Sequence, residues 1–216
     1  MTLFRDRVDA GKKLAAALRP MKGQDIVVLG IPRGGVVVAN EVARELGAPL
    51  DIVVAKKIGA PGEPEYALGA ITQEGDAIVD RKAAESVGAT EEYIRSEVAA
   101  KTMEVRERVG RFRGKAPHPS LVGKVVIIVD DGIATGNSMG AAVISVKRRG
   151  PKEVVVAVPV APPEALRSLP EGLKVVCLQT PEPFFAIGRF YGSFDQVEDA
   201  EVREILESNR RRTPRA

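Results

Sequence analysis

Short continuous runs of Val and Ile alternate along this chain with longer segments of mixed polarity. Five runs are apolar at successive positions rather than at every second one: 26–29, 52–55, 125–129, 154–158 and 175–178. Strands buried on both faces have this composition, because helices cover both sides of a parallel sheet. The runs therefore predict a central, mostly parallel sheet.

Helices are predicted between these runs. Segment 5–18 carries apolar residues toward one side, and segments 36–46 and 139–149 are followed by the stop signals Gly47 and Gly150-Pro151. The alternation of strand and helix predicts an α/β fold, in which helices flank the sheet.

Residues 60–116 interrupt this alternation. Segments 67–72 and 77–79 flank a polar turn and predict an inserted hairpin. Thr90, followed by two glutamates, predicts the start of a helix, because its hydroxyl can cap the first turn and acids favour that end. The insertion is therefore expected to hold a hairpin and a helix.

We expect one domain over residues 1–209, with a core of about residues 20–180 and a small hood formed by residues 180–200 with the terminal segments. Segment 210–216 holds four arginines and no acid, and we expect it to be a flexible basic tail. Without it, the net charge of +3 falls to −1, with 28 basic and 29 acidic residues. The body of the protein is therefore almost neutral.

Composition excludes several classes of protein. A single cysteine and a single histidine cannot build a disulfide framework, a zinc finger or an iron–sulfur site. The apolar runs are too short to span a bilayer, and the first residues lack the pattern of a secretory signal. We expect a soluble, cytoplasmic protein that does not contact a membrane.

Segment 125–139 carries the clearest chemistry. An apolar strand ends in Asp130 and Asp131, small and hydroxyl-bearing residues follow, and a helix then begins. Free backbone N–H groups at a helix N-terminus bind anions, and small residues let the backbone approach a phosphate closely. Carboxylates beside a bound phosphate would repel the phosphate but can accept hydrogen bonds from sugar hydroxyls. The pattern predicts a site for a phosphoribosyl group, the alternative being a chance pair of acids.

This segment resembles the phosphoribosyl-pyrophosphate (PRPP) signature of type I phosphoribosyltransferases. The resemblance implies that family's fold, with a parallel sheet and a hood. It also implies that Asp130 and Asp131 face the ribose hydroxyls. The 5′-phosphate would be held by the loop that follows, which consists of Ala134, Thr135, Gly136, Asn137 and Ser138.

A second segment follows the first predicted strand: Pro32, Arg33, Gly34 and Gly35. Glycines permit close approach to a ligand, and Arg33 offers a fork of donors to phosphate oxygens. The resemblance implies that this loop binds pyrophosphate. A helix-capping turn with a surface arginine is the alternative.

Lys56 and Lys57 leave a strand end and enter a loop rich in glycine and proline. One of them is expected to face the cleft, since neighbouring strand residues point to opposite sides, and the sequence does not decide which. A solvated lysine pair is the alternative. By resemblance, Arg33 and one of these lysines assist the departing pyrophosphate. Mg²⁺ is held mainly by substrate oxygens, with Asp130 and Asp131 acting indirectly.

Five of the nine aromatic residues lie within 184–194. The resemblance implies an acceptor hood there, with Phe184, Phe185 and Tyr191 against a flat acceptor; plain packing is the alternative. Family members that act on hypoxanthine and guanine carry an acid where this chain has Ala134. That difference argues against acceptors of the hypoxanthine and guanine type. The candidate acceptors that remain are adenine-, orotate-, xanthine- or uracil-like compounds, or a compound that is not a base.

The resemblance implies an enzyme that transfers the 5-phosphoribosyl group of PRPP to a nitrogenous acceptor and releases pyrophosphate. One alternative is a non-catalytic PRPP-sensing regulator that binds nucleic acid, against which the neutral body argues. Another is a serine hydrolase using Ser138 within Gly-x-Ser-x-Gly, against which the absence of a later histidine argues. The expected partners are PRPP and a small acceptor, and a homodimer is left open.

Overall fold

Two sheets and the helices around them make up the computed structural model, which describes residues 2–114 and 116–212, apart from the side chain of Glu65. The strands are β1 Ile26–Gly30, β2 Leu50–Ile52, β3 Lys56–Ala60, β4 Glu63–Ile71, β5 Ala77–Val79, β6 Val125–Val129, β7 Glu153–Val160 and β8 Lys174–Gln179. The α-helices are α1 Arg7–Leu18, α2 Gly34–Leu46, α3 Arg81–Ser86, α4 Glu91–Arg113, α5 Asn137–Lys147, α6 Pro163–Arg167 and α7 Asp199–Arg212.

The larger sheet has the order β2-β1-β6-β7-β8, and every neighbouring pair is parallel. This confirms the predicted α/β fold. The run 52–55 was expected to be a strand, but β2 covers Leu50–Ile52 and the next three residues lead out of the sheet. The chain moves from β1 outward to β2 and later returns to β6 on the other side of β1. Open α/β sheets bind ligands at such a reversal of strand order.

Alternate strand residues enter two separate cores, because successive side chains point to opposite faces. Val28 and Ile127 pack with residues of α1, α2 and α7, whereas Val27 and Ile128 pack with residues of α5 and α6. Helices therefore cover both faces of the sheet, which explains the continuous apolar runs.

Strands β3, β4 and β5 form a separate antiparallel sheet, which confirms the predicted hairpin. This sheet begins at Lys56, four residues before the expected start of the insertion. The Thr90 hydroxyl accepts a hydrogen bond from the Tyr93 backbone N–H at 3.1 Å, which confirms the predicted cap of α4. Helix α4 is joined to the core by an ion pair between Arg113 and Asp51, both buried.

The hood brings the two ends of the chain together. Backbone N–H groups of Leu3 and Phe4 donate to the Phe190 carbonyl, and the Gly192 N–H donates to the Phe4 carbonyl at 2.8 Å. Among the described residues, no helix has both the length and the apolar character needed to cross a membrane.

The start of the expected basic tail belongs to α7, which continues to Arg212. The helix is held there because Val202, Leu206 and Asn209 are buried, and the Asn209 side chain accepts the Leu50 backbone N–H at 2.9 Å. Residues 213–216 of the expected tail lie outside the described residues.

Candidate active site

A cleft of about 210 Å³ opens where β1, β2 and β6 end, at the point where the strand order reverses. Its walls include Pro32 after β1, Lys56 on β3, Arg108 on α4, Asp130 after β6 and Ser138 on α5. A neighbouring cleft of about 440 Å³ shares Lys56 and Ser138 and extends to Lys57. The segments predicted to bind a phosphorylated sugar therefore meet at one place.

Two glycines allow the loop after β1 to rest on the acidic pair after β6. A Cβ atom on Gly34 would lie 2.0 Å from Oδ2 of Asp131, and one on Gly35 would lie 2.7 Å from Oδ1 of Asp130. Real Cβ atoms do not approach so closely, so these positions require glycine. The peptide bond between Pro32 and Arg33 is cis. The two predicted motifs thus form one packed unit.

The loop before α5 is shaped for an anion. Gly136 has φ of +85°, and a Cβ atom there would lie 2.7 Å from Oγ of Ser168. The helix begins at Asn137, so its first backbone N–H groups point into the loop. Thr135 and Ser138 are exposed, and the Thr135 hydroxyl, which accepts from Nδ2 of Asn137 at 3.0 Å, keeps its own proton to donate to a ligand. Ser168 on the far side supports this loop, a role that no sequence pattern indicated.

The two adjacent acids have different environments. Asp130 lines the cleft, and its Oδ1 accepts the Asp131 backbone N–H at 2.8 Å. Asp131 is buried, and its Oδ2 accepts from Nε of Arg7 at 2.7 Å. The Tyr191 hydroxyl donates to the Asp131 carbonyl at 2.6 Å. Asp130 is therefore the carboxylate available to a ligand, and Asp131 holds the terminal segments onto the motif.

Burial and the adjacent Asp131 carboxylate raise the pKa of Asp130 well above its usual range. Burial also raises the pKa of Asp131, although the hydrogen bond and charge of Arg7 oppose that effect. A ligand that offered hydrogen-bond donors or a cation to Asp130 would stabilise its charged form. The site is therefore prepared for hydroxyl groups or for a metal-bearing substrate.

Arg33, predicted to face pyrophosphate, instead binds an acid at the start of α7. Its Nη1 lies 3.3 Å from Oδ1 of Asp199, whose other oxygen lies 3.6 Å from Nη1 of Arg111. Lys56 lines the cleft, with Nζ 3.0 Å from Oε2 of Glu104. Asp199 and a ligand in the cleft would therefore compete for the Arg33 guanidinium.

The three aromatic residues predicted for the hood have different exposures. Tyr191 is 6% exposed and packs against Phe4, and Phe184 packs against Phe190 with ring centroids 5.1 Å apart. Phe185 is 72% exposed. The Arg189 guanidinium lies 5.5 Å from the centroid of the Phe185 ring. Of the three, Phe185 is nevertheless the most exposed and the one suited to stacking on a flat acceptor, while Tyr191 serves packing.

Residues 4–188 match the family model described as the phosphoribosyl transferase domain. The chain belongs to the phosphoribosyltransferase family. A Mycobacterium tuberculosis H37Rv protein with the name "Putative phosphoribosyl transferase Rv0571c" is 41% identical over 208 residues. The match covers 96% of this chain and 47% of that protein, so the chain spans about half the length of the curated relatives it matches.

Two solved structures are similar to this chain. The crystal structure of TT1426 from Thermus thermophilus is similar with a TM-score of 0.89 and 46% identity, covering 96% of this chain and 99% of that one. A protein from Neisseria gonorrhoeae, solved with bound ppGpp, has a TM-score of 0.52 and 17% identity, with coverage of 97% and 98%. The second likeness concerns the fold alone.

Phosphoribosyltransferases generally use Mg²⁺ with PRPP. Within the described part of the chain, no group of three or more His, Cys, Asp or Glu side chains could hold a metal by itself. Asp130 places one carboxylate at the cleft. Mg²⁺ retains most of its waters and substrate oxygens and needs few protein ligands. The residues present therefore fit an ion that arrives with the substrate, not one in a protein cage.

Proposed function

We propose that this protein transfers the 5-phosphoribosyl group of PRPP to a nitrogenous acceptor, a nucleobase or related compound, and releases pyrophosphate. The observation that carries the proposal is the set of groups that line one cleft. Asp130, Ser138 at the start of α5 and the cation of Lys56 all line it. This set matches a molecule with a phosphate, a pair of sugar hydroxyls and a diphosphate.

Each part of PRPP then has an assigned partner. The 5′-phosphate binds the backbone of residues 134–138 and the hydroxyls of Thr135 and Ser138. The ribose hydroxyls donate to Asp130. The diphosphate is bound by the loop 32–35 and by Lys56. Asp131 acts on the substrate through position, because Arg7 and Tyr191 fix the loop that carries Asp130.

The proposed reaction breaks the bond between the anomeric carbon and the diphosphate oxygen, which keeps the electron pair. The acceptor nitrogen attacks from the opposite face and inverts the anomeric carbon. Positive charge develops on the ring and negative charge on pyrophosphate, so Asp130 and Lys56 stabilise the transition state electrostatically. When bound with the substrate, Mg²⁺ supplies charge neutralisation of the diphosphate, and Asp130 is the residue that would hold it.

The acceptor is proposed to lie beneath Phe185, whose ring is exposed, and close to Ala134. An alanine accepts no proton, so an acceptor that must lose one gives it to solvent or loses it before binding. This favours acceptors whose nitrogen is already nucleophilic. Adenine-, orotate-, xanthine- and uracil-like compounds remain the classes to test.

The test is pyrophosphate release from PRPP and Mg²⁺ over a panel of nucleobases and small amines. We expect one class to give turnover, and Asp130→Asn to reduce it by at least about tenfold through the lost charge-assisted hydrogen bonds. Absence of binding of both PRPP and ribose 5-phosphate at millimolar concentration would overturn the proposal. Binding without turnover of any compound would favour a PRPP-sensing regulator.

A hydrolase using Ser138 receives no support from the geometry. The histidine that such a mechanism needs, His118, contacts Arg113 at the end of α4, and its Nδ1 lies 3.0 Å from Nε2 of Gln73. Ser138 lies in the cleft beside Asp130 and Lys56. Its hydroxyl is therefore assigned to phosphate binding.

A further inference from the structure

Arg108 contributes a cationic side chain to the wall of the cleft, and no sequence pattern indicated this. Arg108, on α4, is half-buried and lines the same cleft as Lys56, Asp130 and Ser138. Within residues 2–114 and 116–212, its guanidinium makes neither a hydrogen bond nor an ion pair. A guanidinium carries a permanent charge and five donors, so a half-buried one without partners is suited to an anion.

The acids nearest to Arg108 along α4 already have partners. Glu104 binds both Lys56 and Lys101, at 3.0 and 3.3 Å. Glu107 pairs with Arg111, which also lies near Asp199. Neither of these acids therefore pairs with Arg108. A cation without an acidic partner at the wall of a cleft attracts anionic ligands.

The backbone that carries Arg108 is held on both sides. Val105, one turn earlier, is fully buried, and Phe112 and Arg113, one turn later, are buried as well. The Tyr93 hydroxyl fixes the other end of α4 by donating to the Gly59 carbonyl at 3.0 Å. Because the helix is fixed, the ordering that ligand binding requires here is confined to the Arg108 side chain.

We infer that Arg108 is a catalytic residue that binds the diphosphate of PRPP, an inference that rests on the proposed function. When the bond from the anomeric carbon to the diphosphate oxygen breaks, the electron pair stays on that oxygen. Arg108 and Lys56 stabilise the resulting charge, while the acceptor nitrogen forms the new bond and its proton passes to solvent. Arg33 is bound to Asp199 in this structure, whereas Arg108 lines the cleft, so Arg108 is the arginine assigned to the diphosphate.

The test compares Arg108→Gln and Arg108→Lys with Arg106→Gln. Arg106 is a matched control because it is an exposed arginine on the same helix, next to the Gly75 turn. Calorimetry with Mg²⁺ measures the binding of PRPP, pyrophosphate and ribose 5-phosphate, and thermal unfolding confirms that each variant is folded. Ribose 5-phosphate lacks the diphosphate and therefore separates its contribution from that of the 5′-phosphate.

We expect Arg108→Gln to weaken PRPP and pyrophosphate binding by roughly 10- to 100-fold, the effect of losing charged hydrogen bonds. Ribose 5-phosphate binding should stay within about twofold. Arg108→Lys should retain part of the affinity, because a point charge replaces the fork of donors. Arg106→Gln should match the wild type.

Several outcomes would overturn the role of Arg108 alone. One is unchanged PRPP affinity in Arg108→Gln, and another is an equal loss for PRPP and ribose 5-phosphate, which indicates a structural effect. If Arg108→Gln does not fold, wild-type PRPP affinity in Arg108→Met, which keeps the aliphatic stem, overturns the role in its place. Wild-type protein that binds ribose 5-phosphate but not PRPP also removes this role. Wild-type protein that binds neither overturns the proposed function itself.

Discussion

Nε of Arg7 donates to Oδ2 of Asp131 across 2.7 Å, and so joins the first helix of the chain to the second acid of the phosphoribosyl motif. The Arg7 guanidinium also lies 3.8 Å from the centroid of the Phe194 ring and donates to the Asp195 carbonyl. One arginine thus connects the helix, the motif and the hood. As a result, the neighbouring acids have different surroundings: Asp131 supports structure, and Asp130 lines the cleft.

This difference predicts opposite effects of the same substitution at two adjacent positions. Asp131→Asn leaves the half-buried Arg7 without its carboxylate and should lower the free energy of unfolding by about 2 kcal/mol. Asp130→Asn removes a carboxylate whose charged form is disfavoured by burial, and should raise the melting temperature at pH 8. Thermal unfolding of both variants measures the difference, and equal effects would contradict the prediction.

The stabilisation by Asp130→Asn should depend on pH in a defined direction. The folded state raises the pKa of Asp130, so the wild type loses stability as the pH rises from the ordinary aspartate value to the raised one. The gain from the variant is therefore full above the raised pKa and fades as the pH falls toward 3.8. If the gain in stability from Asp130→Asn instead increased as the pH fell, the pKa of Asp130 would be lowered in the folded state, contrary to the prediction.

PRPP affinity should fall on mild acidification for the same reason. Asp130 must be charged to accept hydrogen bonds from two hydroxyls, and its raised pKa brings protonation closer to neutral pH. Calorimetric titrations between pH 8 and pH 5 test this. Asp130→Asn is the control, because phosphate groups of PRPP titrate identically with both proteins. Parallel profiles for the two proteins would show that Asp130 does not cause the fall.

Asp199→Asn should strengthen PRPP binding, because it releases Arg33 from a competing ion pair. Both partners are partly exposed, so the pair is worth up to about 1 kcal/mol, or roughly two- to fivefold in Kd. Glu198→Gln is the matched control, as it removes the same charge from the adjacent, exposed position. If both variants bind PRPP with equal affinity, Arg33 does not leave its ion pair with Asp199 to bind the ligand.

Gly34→Ala should disrupt the contact between the two binding loops. The added methyl group would collide with the Asp131 carboxylate, at a cost of about 1–3 kcal/mol, and should weaken PRPP binding. Gly110→Ala, on α4 where nothing lies within 4 Å, should instead stabilise the protein by roughly 0.5–1 kcal/mol. Unfolding and PRPP titration of both variants provide the comparison, and wild-type behaviour of Gly34→Ala would refute the close approach.

Local patterns in the sequence were sufficient for most strands, for the inserted hairpin and for the loop after β6. Continuous apolar runs, the Thr90 cap and the glycines are properties of neighbouring residues, and the structure places each of these features as expected. The strand β2 was misplaced because the apolar run at 52–55 continues beyond the sheet and lines the cleft instead. Residues buried in a sheet and residues buried beside the cleft are both apolar, so the sequence alone does not show where the strand ends.

The partners of the charged residues could not be predicted in this way. Arg7 lies 124 positions from Asp131, and Arg33 lies 166 positions from Asp199. Nothing in the sequence near Arg108 distinguishes it from the other arginines of α4. Only the packing of that helix against β3 decides which of them reaches the cleft. Long-range ion pairs therefore depend on how the elements are packed, which periodicity does not encode.

The exposed ring of Phe185, which we propose to cover the acceptor, offers an optical test of that proposal. The chain contains no tryptophan, so Phe185→Trp would introduce a single indole with no background from other indoles. At 72% exposure the native ring has room for the larger one without repacking the hood. Quenching or a blue shift of that fluorophore would report occupancy of the acceptor side in real time, including by compounds that bind without reacting.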